Sequence, residues 1–192
     1  MSRGAGRLRA RVCTVAAIAM MLGGCASAPD RTPVQYLDRD TAVTFTVVGA
    51  PLTFARVRPE VAARVRDYAT VAAAAMDRNG HTNYALLVYL WSTVDPRNGP
   101  EVTRQAPDLV LLADDRRIAL HPIDDAEQPL PPVDRPPVPH FVAAIYATDL
   151  PTLRFLTTAR YLSLLAGGAE GARFELWHDD RQALADWVRS MQ

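Results

Sequence analysis

His178, Asp179 and Asp180 form the one place in the chain where an imidazole stands beside carboxylates. That trio could hold a divalent cation or supply an acid–base pair, although a metal would need further ligands from elsewhere. A strand ending in a turn, with an Asp capping the next helix, explains the same three residues. The other histidines, His81, His121 and His140, fall at expected strand ends or turns, and no spacing groups them. Ser92, in Leu90-Trp91-Ser92-Thr93, lacks the flanking glycines of a nucleophile elbow. Asp124-Asp125-Ala126-Glu127 is acidic enough to attract calcium but lacks the spaced oxygens and the glycine of an EF-hand loop. Glycosidase chemistry needs two carboxylates at a set separation, and 21 acids always supply some pair, so spacing selects none. Tyr89 and Trp91 could line a ligand-binding face, but their alternation equally places them in a core. Gly167 to Gly171 is turn material. No residue is therefore assigned a catalytic, cofactor-binding or metal-ligating role, and the chain is read as a non-enzyme.

Two absences narrow the chemistry further. All 21 basic residues are arginine, which removes Schiff-base, Ser-Lys and lysine-dependent phosphate chemistry. The only cysteines are Cys13 and Cys25. Cys13 lies within a segment expected to leave the chain, so the folded body is expected to have no disulfide, thiol nucleophile or thiolate ligand and to rely on its core.

The N-terminus carries the strongest signal. Arg3, Arg7, Arg9 and Arg11 precede an apolar run from Val12 to Leu22, and small residues lead to Cys25. The run is too short for a membrane span of about 20 residues. Leu22-Gly23-Gly24-Cys25 resembles the lipobox of bacterial membrane lipoproteins, and the resemblance covers residues 1–27 only. It implies a signal peptide, residues 1–24, removed before Cys25, and lipidation of Cys25. It also implies a cell-envelope location. Ala26 and Ser27 stand where an Asp would favour the inner membrane, so the resemblance implies outer-membrane sorting, with the domain facing the periplasm. Four of the 21 basic residues lie in the signal, which leaves 17 against 21 acids, a net charge of −4. A mildly acidic body argues against nucleic acid as a partner.

Residues 25–35 are expected to be the lipidated cysteine and a flexible tether, and residues 36–192 a single globular β-rich domain. Thr41 to Val48 alternates as a half-buried strand, and Leu52 to Val57 follows after Gly49-Ala50-Pro51. Pro59 to Met76 is ambiguous, because its alanines favour a helix. Asn79-Gly80, however, is a two-residue hairpin signal, and it favours a short helical turn over Pro59 to Arg66 and then a strand over 67–77 that pairs with Thr82 to Thr93, the alternative being one helix from Pro59 to Met76. Thr82 to Thr93 is apolar on both faces and reads as a central strand. Further strands are expected at 108–113, 117–121, 140–147, 160–165 and 172–177. A proline-dense loop covers 129–139. A helix capped by Thr148 or Asp149 is expected to run to about Thr158. The final helix, capped by Asp179 or Asp180, buries Leu184, Trp187, Val188 and Met191 and turns Arg181, Gln182, Asp186 and Arg189 outward. The expected fold is mainly β: an antiparallel sandwich or partly open barrel of about eight or nine strands with two or three short helices.

The resulting expectation is an envelope-anchored lipoprotein without catalysis, a structural or assembly module with an envelope protein partner. The alternative is a periplasmic lipoprotein binding a small molecule or glycan. An envelope-polymer hydrolase ranks behind both.

Overall fold

A computed structural model describes residues 31–94, 106–123 and 130–191. The signal segment, the lipobox with Cys25, and Asp124-Asp125-Ala126-Glu127 lie outside the described residues. The rest is mainly β, with ten antiparallel strands in one open sheet and two helices.

The strands are β1 (Val34–Asp38), β2 (Val43–Val47), β3 (Leu52–Val57), β4 (Arg66–Arg78) and β5 (His81–Ser92), then β6 (Leu109–Ala113), β7 (Arg116–Leu120), β8 (Phe141–Thr148), β9 (Leu162–Ala166) and β10 (Ala172–His178). The helices are α1 (Leu150–Thr158) and α2 (Arg181–Ser190). Nine strands match the expected segments. The tenth, β1, was missed because Val34 and Leu37 face solvent and leave no apolar alternation. Folded structure thus begins before Tyr36, within what was expected to be tether: Arg31 pairs with Asp180 at 3.6 Å, and a Cβ on Gly49 would lie 2.2 Å from the Thr32 carbonyl.

The β4–β5 hairpin organises the sheet. Asn79 and Gly80 both have positive φ (56° and 79°), as a type I′ turn requires, and Arg78 pairs with His81 directly across it. That register decides the ambiguous segment. Ala72 to Ala75 have high helix propensity, but as strand residues they pair with Leu87 to Tyr84 and are fully buried. Only residues 58–65 turn, closed by Val61 N–H to the Arg58 carbonyl and Val65 N–H to the Ala62 carbonyl. β2 and β3 run end to end along the other edge of β4. Val47 pairs with Ala74 and Leu52 with Val71, and the break falls at Gly49-Ala50-Pro51. From there β2 joins β1, while β3 joins β10 and the path continues through β9, β6 and β7. On the far side β5 pairs with β8.

Alternate residues sort onto two faces. Leu52, Phe54, Val71, Val88, Leu111 and Leu164 follow one another through the ladder on one face, and all are buried. Phe45, Ala74, Leu87, Tyr89 and Ile145 are buried on the other, so β4 and β5 are covered on both sides as expected for central strands. α1 starts at Asp149, whose carboxylate accepts the Thr152 N–H at 2.7 Å, with Pro151 in the first turn. α2 packs on α1 and buries Leu184, Trp187 and Val188. The Trp187 ring meets Tyr84 edge-on at 6.3 Å, and its N–H donates to the Thr46 carbonyl at 3.2 Å. Arg181 departs from the outward placement expected for it. Its guanidinium donates to the Ala159 carbonyl at the end of α1 and clasps Asp179, so its side chain is mostly covered.

Candidate functional site

Several of the residues singled out for chemistry have structural work. Asp180 occupies the α2 cap position without a side-chain cap bond, and Asp179 accepts the Arg181 backbone N–H at 3.2 Å. The Arg181 guanidinium beside it holds the Asp179 carboxyl below its ordinary range. His121 Nδ1 lies 3.0 Å from Asp108 at the exposed end of β7. His81 sits at the β4–β5 turn and His140 beside Phe141, whose strand partner is Trp91. Ten residues of strand, roughly 33 Å, separate those two histidines along the ladder. The Ser92 hydroxyl donates to the Arg66 carbonyl at 3.4 Å. Among the described residues no group of three or more His, Cys, Asp or Glu could hold a metal ion.

What the sheet does assemble is an aromatic band. The two-residue turn fixes Tyr68 opposite Trp91, and the β5–β8 register sets Phe141 next to Trp91. The Tyr68 and Trp91 rings stack at 4.3 Å, inclined by 18°, and the Trp91 N–H donates to the Thr70 hydroxyl at 3.3 Å. Such a stack contributes about 0.5–1.5 kcal/mol beyond area burial. Two residues before Tyr68 on the same face, Arg66 lays its guanidinium 4.9 Å from the centre of the Trp177 ring. Trp177 sits where the β10–β3 register shifts, is 52% exposed, and has exposed Val57 nearby as the partner of Arg66 in the ladder. Arg66 Nε is buried with no hydrogen-bond partner among the described residues. At the other end Phe141 is 36% exposed and meets Tyr89 edge-on at 5.6 Å.

Tyr89 is not part of a ligand face. It is buried beneath the proline-dense segment, and its hydroxyl lies 3.1 Å from both the Pro131 and Val133 carbonyls. Burial, aided by the neighbouring Asp134 charge, pushes its phenol up. The described part of that segment is a strap over the sheet, with Leu130 and Val133 packed on the core. The strap carries a strained acid. Asp134 has φ 54°, its Oδ2 is buried with no hydrogen-bond partner among the described residues, and burial pushes its carboxyl up.

An acid whose folded-state pKa is raised loses stability for the fold as pH climbs above the unfolded value of 3.8, until the folded carboxyl has itself ionised. Asp134→Asn removes the charge and suits a positive φ. It is expected to raise the melting temperature at pH 7 by about 2–4 °C, the response to about 1 kcal/mol in a domain of this size. The gain should shrink towards pH 3. A lower melting temperature at pH 7 would show that the carboxylate is stabilising.

The band thus sets partly exposed ring faces beside a guanidinium. Compared with known protein families, curated proteins and solved structures, the chain matches none.

Proposed function

We propose that the protein is a bacterial lipoprotein anchored in the cell envelope through Cys25, an interaction module that works by presenting a surface. The observation that carries this reading is the Leu22-Gly23-Gly24-Cys25 box at the end of an eleven-residue apolar run behind four arginines. The aromatic band supports the second half of the reading, since exposed aromatic residues and arginine are enriched where proteins bind one another. The Phe141 and Trp91 end is the proposed docking point for an envelope protein partner, and the outer membrane, facing the periplasm, is the proposed location. A partly open barrel is the proposed curvature of the sheet. It is supported by the chain just after β7 reaching β8, where Pro122 bridges Tyr146 and Ile123 N–H donates to the Ile145 carbonyl at 2.8 Å.

A second reading, a glycan held on the band, is favoured by the half-exposed Trp177 ring. It is weakened because Tyr68 and Trp91 each spend a ring face on the other, and Arg66 covers a face of Trp177.

Crosslinking in the native envelope separates the two. The expected result is one near-stoichiometric protein that co-purifies with the lipidated chain and is lost on Phe141→Ser. A well-folded, anchored chain that captures no protein would sink the assembly role and favour the glycan.

A further inference from the structure

We infer that the Trp177–Arg66 end of the band rests on the phospholipid headgroups of the membrane that holds the anchor. This rests on the lipid-anchor reading and adds an orientation to it.

Five residues lie between Cys25 and Arg31, so the two are at most about 20 Å apart even with the chain fully extended. Arg31 pairs with Asp180, and the backbone of the next residue is packed against Gly49. A domain of this length is roughly 40 Å across. A tether half that width cannot let the domain turn its far side to the bilayer. The face carrying Arg31 and Asp180 therefore stays nearest the lipid, and Trp177 lies only three residues before Asp180.

Indole rings prefer the headgroup layer, where an apolar body and a polar N–H are both satisfied. Arginine offers a planar fork to phosphate and can lie along an aromatic face while doing so. Trp177 is half exposed with the Arg66 guanidinium over its ring. The mature chain is acidic overall, but the acids around Trp177 are each matched: Glu175 by Arg173 at 2.6 Å, Asp179 by Arg181, and Asp180 by Arg31. The near face therefore does not repel an anionic headgroup layer as the net charge of the whole chain would suggest. Exposed Val57 adds apolar area beside the pair.

The test uses the lipidated mature protein in vesicles of phosphatidylethanolamine and phosphatidylglycerol, made with or without bromine on the acyl chains. Bromine quenches tryptophan that sits at the lipid boundary. Trp187 is buried in the core and Trp91 is half-buried in its stack with Tyr68, so Trp177 is the indole placed to respond. The expected result is clear quenching of the wild-type protein and loss of most of it in Trp177→Phe, with both proteins sedimenting with the vesicles. Quenching that survives in Trp177→Phe would overturn the assignment. So would identical emission in both vesicle types from a protein that sediments with them, and that outcome leaves the anchor intact. Peptidoglycan fragments shifting the Trp177 emission where bromine does not would overturn it in favour of a glycan. A chain that stays out of the vesicle pellet, with Cys25 unmodified by mass, removes the anchor and this orientation with it.

Discussion

Val88→Asp is expected to unfold the domain. Val88 is 1% exposed in the middle of β5, paired with Val71 on one side and Ala144 on the other. A carboxyl there has no room for water and no cation among its strand partners. It would be forced to stay protonated, and a pKa raised by about 3–5 units costs about 4–7 kcal/mol at neutral pH. Losing the valine side chain adds about 1.5–3 kcal/mol of burial. Together these match the whole stability of a typical domain, about 5–15 kcal/mol. The control is Val57→Asp, the same chemical change at a half-exposed position, expected to cost no more than about 1 kcal/mol. Circular dichroism and urea titration read both. A cooperative transition at the wild-type midpoint in Val88→Asp would show that β5 is not a covered central strand.

Local chemistry made most of the strands legible. Thr44 and Thr46 alternate with three apolar neighbours, Pro51 breaks the chain, and Asn79-Gly80 can hardly be anything but a tight turn. The alanines of β4 show how a local preference is overridden. Their helix propensity is a few tenths of a kcal/mol each. Twelve ladder pairs with β5 and burial on both faces outweigh it. The hairpin turn also contained half of the aromatic band, since a two-residue loop at 79–80 sets Tyr68 opposite Trp91 by counting alone. The other half was beyond local reading. Ala55 meets Glu175 across 120 residues, and only that pairing brings Trp177 to Arg66. The register shift beside Trp177 has no sequence signature. Arg181 was misplaced for a related reason: helical periodicity put it outside, but its partner Ala159 belongs to the end of a different helix. The joining of all ten described strands into one open sheet is likewise a product of distant pairings such as β3 with β10.

Cys25→Ser is expected to have the largest effect on location. Each buried methylene of an acyl chain contributes about 0.8 kcal/mol to membrane binding, so two or three long chains anchor a protein stably. Among the described residues no helix is long and apolar enough to replace them as a span. The Trp177–Arg66 contact is small and would bind weakly and reversibly by itself. The serine variant, exported with a signal whose cleavage does not depend on cysteine, should move almost entirely from the salt-washed membrane pellet to the soluble fraction. Persistence in the pellet would mean that something other than lipid holds the protein.

The most direct test of the anchor is the mass of the N-terminal peptide from membrane-fraction protein. The expected peptide begins at Cys25 and carries a diacylglyceryl group on the sulfur. An unmodified Cys25, or a mature chain beginning elsewhere, would contradict the anchor reading.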